Sequence, residues 1–124
     1  MRSRYVTTLL LICCCLAGCE NVTLAPVRGR VLCNSKPVAA AQVTFSPVPQ
    51  SKDDTEPGKA GTGFTDADGH FVLSTYQEFD GAQIGQHDVT VTLDDTNPSP
   101  CKRLVQTRLD VKSGPNEFNV ELNQ

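Results

Sequence analysis

Asp88-Val89-Thr90-Val91-Thr92-Leu93 decides the fold, because apolar side chains at 89, 91 and 93 alternate with polar ones at 88, 90 and 92. A period of two marks a strand with one face buried, since successive side chains point to opposite sides of a sheet. The same alternation recurs in both directions along the chain. Upstream, Val27, Gly29 and Val31 share a face opposite Arg28 and Arg30, and Val43 and Phe45 oppose Gln42, Thr44 and Ser46. A weaker strand runs from Thr62 to Thr65, followed by Phe71 and Leu73. Downstream, Val105, Leu109 and Val111 stand against Arg108 and Asp110, then Phe118, Val120 and Leu122 against Glu117, Asn119 and Glu121. About seven strands, each with one apolar face, bury those faces by packing two sheets together, so the expected fold is an all-β sandwich.

The connections fit that reading. Asn34-Ser35-Lys36, Asp66-Ala67-Asp68-Gly69 and Ser113-Gly114-Pro115-Asn116 are turn sequences, expected to close hairpins. Residues 47–60 and 94–102 are longer than ordinary hairpin loops and are the candidate contact segments. If strands alternate up and down, these two loops lie at opposite poles, whereas Cys33 and Cys101 fall at the same pole.

The amino terminus carries a second signal. Arg2 and Arg4 precede an apolar run from Tyr5 to Cys15 that is too short to span a bilayer, and Leu16-Ala17-Gly18-Cys19 follows it. That tetrapeptide resembles the lipobox of bacterial lipoproteins, in which the cysteine thiol takes a diacylglyceryl group and becomes the mature amino terminus. The expected organisation is a cleaved signal peptide at 1–18, a lipidated Cys19 with a short tether over 19–26, and the sandwich over 27–124. Removing residues 1–18 from 124 leaves 106, one domain's worth of core. Arg2 and Arg4 leave with the leader, so 11 basic residues become 9 against 14 acidic, a net charge of −5. That balance argues against nucleic acid and against adhesion to anionic lipid. Of six cysteines, Cys13, Cys14 and Cys15 leave with the leader and Cys19 is taken by lipid. Cys33 and Cys101 remain, and two thiols in an oxidising compartment suggest one disulfide, with free thiols or a bond between chains the alternatives.

Val27-x-Gly29-x-Val31, Lys36-Pro37-Val38 with Ala41-x-Val43-x-Phe45-x-Pro47, Thr65-Asp66-x-Asp68-Gly69-x-Phe71-x-Leu73-x-Thr75, and Asp80-Gly81-Ala82-x-x-Gly85 occur in that order. This series resembles the carboxypeptidase regulatory-like, transthyretin-like domains, and within them the small lipoproteins of planctomycete bacteria. The resemblance covers most of residues 27–122. It implies a seven-stranded, antiparallel Greek-key sandwich that acts as an accessory or adhesive module and carries no enzymatic activity or cofactor.

Asp66, Asp68 and Gly69 are read as turn chemistry, with carboxylates accepting backbone amides and glycine supplying a positive φ. A calcium loop starting at Asp66 would need an acidic twelfth residue, and Gln77 stands there. Asp80-Gly81-Ala82 and Gly85 are expected to shape the turn into the following strand. His70 and His87 are expected to be exposed strand histidines, and the alternating phenylalanines to be core. No Gly-x-Ser-x-Gly elbow and no Cys-x-x-Cys or His-x-x-x-His spacing occurs in the mature chain. Transthyretin-like hydrolases end in Tyr-Arg-Gly-Ser, whereas this chain ends Val120-Glu121-Leu122-Asn123-Gln124. The reading is a non-catalytic module lipid-anchored in the cell envelope outside the cytoplasm, structural or binding an envelope protein or glycan. A hydrolase or metal-dependent enzyme on the same fold is the alternative. The absence of Trp weighs against a sugar platform.

Overall fold

The computed structural model describes residues 22–104 and 107–124. The leader, Cys19 and Val105 lie outside the described residues. Eleven strands follow in order: β1 Leu24–Ala25, β2 Val27–Cys33, β3 Lys36–Pro37, β4 Ala41–Pro47, β5 Gly61–Phe64, β6 His70–Val72, β7 Ala82–Gln83, β8 Gly85–Leu93, β9 Arg103–Leu104, β10 Thr107–Val111 and β11 Asn116–Asn123. Seven of these have three or more residues, and they are the seven that alternation marks.

One sheet is ordered β10-β8-β4-β5, antiparallel throughout. The facing sheet runs β3-β2-β11-β9, with β6 also paired to β2, and a separate ribbon joins β1 to β7. The sandwich is therefore all-β, but it is not antiparallel everywhere. β11 runs parallel to β2, in register from Asn116 with Val27 to Leu122 with Cys33. The 113–116 turn is likewise no hairpin, because β10 pairs with β8 while β11 pairs with β2, so it carries the chain from one sheet to the other. Asn116 holds that crossing. Its Oδ1 accepts from the Lys112 amide at 2.9 Å, and its Nδ2 donates to the carbonyls of Lys112, Gly114 and Pro26.

The turn between β5 and β6 also has arms in different sheets, stitched at one edge by paired backbone bonds between Thr62 and Ser74. Asp66 Oδ1 accepts the amides of Asp68 (2.9 Å) and His70 (3.0 Å), and Gly69 adopts φ +77. The Gly69 carbonyl then accepts the Val31 amide, which docks the turn on β2. Asp68 contributes its backbone carbonyl, to Arg30, rather than its carboxylate. The β2–β3 hairpin closes through Asn34 and Ser35, both with positive φ, the twist a two-residue turn needs.

Phe45 sits at the centre of the core, with ring centroids 6.4 Å from Phe71 and 5.8 Å from both Phe118 and His87. Val27, Val31, Val43, Leu73, Val89, Val111, Val120 and Leu122 complete it. Fully burying each such side chain contributes about 1.5–3 kcal/mol.

One histidine expectation is corrected. His87 is not an exposed strand histidine: it is 0% exposed, because it shares the inward face of β8 with Val89. Its Nε2 lies 2.6 Å from the Gln83 carbonyl, and its Nδ1 has no hydrogen-bond partner among the described residues. Phe45, Phe71 and Phe118, the phenylalanines at alternating positions, pack in the core as expected, whereas Phe64 and Phe79 are 68% and 61% exposed. In β5 the glycines take the inward positions because the backbone of β6 comes too close for a side chain at Gly63, where a Cβ would meet the Val72 carbonyl at 2.5 Å. Leu24 and Ala25, inside the 19–26 segment, are paired with Gln83 and Ala82 in the β1–β7 ribbon.

Candidate functional site

The registers define two poles. β2 starts, β4 ends and β8 starts at one pole, where Pro47 is paired with His87 and the Thr23 carbonyl accepts the Ile84 amide. Residues 22–25 lie there, beside the loop 48–60. At the other pole β2 ends at Cys33, and Ala41 is paired with Leu93. The hairpin at Asn34-Ser35, the connection through Val38 and the loop 94–102 meet at this distal pole.

A disulfide joins Cys33 to Cys101, with Cα atoms 5.8 Å apart. Both residues are buried. Loop 94–102 is organised by its own side chains before it reaches the bond. Asp94 Oδ1 accepts from the amide and hydroxyl of Thr96, at 3.0 and 3.2 Å. These bonds, with the Asp95 amide and the charge of Lys102, hold the Asp94 carboxyl below the usual carboxylate range. Asn97 is the clamp: its Nδ2 donates to the Ala39 carbonyl at 2.8 Å, its Oδ1 accepts from the Ser99 amide, and its own carbonyl accepts from Lys102 Nζ at 2.6 Å. Ala40, on the facing wall, adopts φ +55.

Between these walls lies a cleft of about 610 Å³. Its apolar lining comes from Pro37, Val38, Ala39, Ala40, Pro98 and Pro100, with Asn34, Lys36 and Thr96 at the polar margin. That composition suits contact and exclusion of water, with a few polar groups to orient a partner. No histidine lines it. Among the described residues, no three His, Cys, Asp or Glu side chains converge as metal ligands.

The fold thus brings together Cys33 and Cys101, and it places Asp66, Asp68 and Gly69 elsewhere, in the β5–β6 turn against β2. Cys19 lies outside the described residues. Sequence reasoning marked loop 94–102 by its length but missed Asn97 and Ala39 as the pair that closes one side, because a contact across 58 residues leaves no local signature.

No family model and no curated protein matches the chain. Among solved structures it is similar to a DUF3823 family protein from Parabacteroides merdae, at 17% identity and TM-score 0.51, over 83% of this chain and 47% of that one. It also resembles the dioxygenase domain of a dioxygenase carbohydrate-binding protein fusion from Streptomyces sp. SirexAA-E, at 17% identity and TM-score 0.49, over 84% of this chain and 83% of that one. The major plantain pollen allergen gives 17% identity and TM-score 0.43, over 82% of this chain and 98% of that one. The chain spans about half of the Parabacteroides protein, and at 17% identity that likeness shows the β-sandwich fold and nothing finer.

Proposed function

We propose that this chain is a lipid-anchored, non-catalytic binding module of the bacterial cell envelope, which holds its distal cleft away from the membrane for an envelope partner. The observation that carries this reading is polarity. The first described residues, up to β1, lie at one end of the sandwich, and the disulfide-stapled cleft opens at the other. Cys19 stands five residues before Leu24, so a lipid there lies within roughly 17 Å of the first strand. The nine residues of β8 then set the cleft about 26 Å further out. The lipobox-like Leu16-Ala17-Gly18-Cys19 supports the anchor, and a clamped, proline-walled cleft supports a contact role.

Photo-crosslinking amino acids placed singly at Pro98, in the distal loop, and at Lys52, in the proximal loop, test it in native envelopes. The expected result is a discrete crosslinked partner from position 98 and none from 52. Capture from 52 alone, or turnover of a substrate by the purified protein, overturns the reading.

A further inference from the structure

We propose that the groove between β5 and β6 is a binding site for a neutral, pyranose-based oligosaccharide, stacked on Phe64 and Phe79. This goes beyond the distal cleft and depends neither on its occupant nor on the lipid. Phe64 and Phe79 are 68% and 61% exposed, and with the half-exposed Val72 they line a groove of about 530 Å³. Asp66, His70 and Glu78 stand in the same lining.

Phe79 is held out deliberately by its surroundings. Its φ is +59, a conformation that is strained for a bulky side chain and persists only where neighbours enforce it. Here they do. The Phe79 amide donates to Ser74 Oγ at 2.8 Å, and the adjacent Asp80 carboxylate accepts the amides of Thr75, Tyr76 and Gln77 at 2.6, 3.0 and 2.8 Å. The ring is therefore presented on a preorganised loop, which lowers the ordering cost of binding.

The lining chooses the ligand. Aromatic faces carry negative charge density and attract the positively polarised C–H groups on one face of a pyranose. The hydroxyls at the sugar's rim donate to carboxylates and imidazole nitrogen. Among the described residues, no protein group engages the Glu78 carboxylate or the His70 ring. Asp66 uses Oδ1 for its own turn and leaves Oδ2 for a ligand. An apolar partner would desolvate these acids with nothing to bond them. An anionic one would meet like charge. A hydroxyl-rich, uncharged ligand with apolar faces satisfies both sets of groups.

Phe79→Gly is the decisive variant, because it removes the ring and relieves the positive φ together. The purified protein, with or without lipid at Cys19, is titrated by calorimetry with β-1,4-linked hexaoses of glucose, xylose, mannose and N-acetylglucosamine. At least one is expected to bind the parent, with Phe79→Gly and Phe64→Ser each weakening it tenfold or more and Phe79→Gly leaving the melting temperature unchanged or higher. If none binds the parent more tightly than about 10 mM, or if both variants bind as the parent does, the proposal is overturned. Failure of lipidation at Cys19 would leave these titrations unchanged, so the two readings are tested separately.

Discussion

Cys33 and Cys101 are bonded across the distal pole although 68 residues separate them, in the same loop that Asn97 clamps to Ala39. A loop of that length loses about 4 kcal/mol of denatured-state freedom in the chain-entropy model. For a domain whose total stability is of order 5–15 kcal/mol, this is a large share. The Cys33→Ala, Cys101→Ala double variant is expected to unfold by up to about 4 kcal/mol more easily in urea than the oxidised parent. Reduction of the parent should reproduce the loss. Equal midpoints for oxidised parent and double variant would deny the staple its role.

Asp80 predicts a pH dependence. Burial pushes its carboxyl up, but amide hydrogen bonds from Thr75, Gln77 and Tyr76 outweigh that and hold it below the usual carboxylate range. A carboxyl depressed in the folded state contributes stability above its unfolded value and loses it as pH falls through the folded one. Asp80→Asn is therefore expected to melt below the parent at neutral pH, with the gap closing as pH falls below the usual carboxylate range. A gap that stays constant across that range would show that the charge on Asp80 is irrelevant to the loop.

Gly81 and Gly114 separate backbone strain from packing. Both have positive φ, at +92 and +86. A Cβ at Gly81 would fall on the Ala25 carbonyl and 2.9 Å from the Pro26 Cα, whereas one at Gly114 meets nothing within 4 Å. Gly114→Ala is expected to cost about 1 kcal/mol for conformation alone. Gly81→Ala is expected to cost about 3 kcal/mol or more and to release β1, seen as faster amide exchange at Leu24 and Ala25. Equal costs at the two sites would mean that β1 yields freely.

The faces of the strands were legible because alternation needs only neighbouring residues. Parity even extends to His87, two residues before Val89 on one strand, although histidine chemistry suggested solvent. Partners were less legible. Nothing in Val27–Cys33 or Asn116–Asn123 announces that they run parallel, since period two fixes which side a residue faces and not which strand lies beside it. Two-residue strands such as β1 and β7 are too short to alternate at all. Phe64 stands on the outer face for a related reason: only the approach of β6 to Gly63 puts the glycine inside. The disulfide was readable from cysteine arithmetic and strand parity, whereas the cleft beside it depends on Asn97 reaching Ala39.

The lipid on Cys19 is the remaining prediction, and the folded start of β1 sharpens it. Only residues 20–23 separate Cys19 from Leu24, so an anchored domain must ride close to the bilayer, with its loop 48–60 inward and its cleft outward. Two or three acyl chains hold such a protein firmly, where one chain alone gives marginal binding. Intact-mass measurement of membrane extracts is expected to give residues 19–124 plus a diacylglyceryl group, with or without a further acyl chain. Limited proteolysis of intact membranes should spare Lys52 and Lys59, on the bilayer side, longer than Lys102, and the difference should vanish once detergent removes the bilayer. A Cys19→Ser protein that is still cut before residue 19 and still sediments with membranes would overturn the anchor. A protease pattern that is the same with and without the bilayer would overturn the orientation.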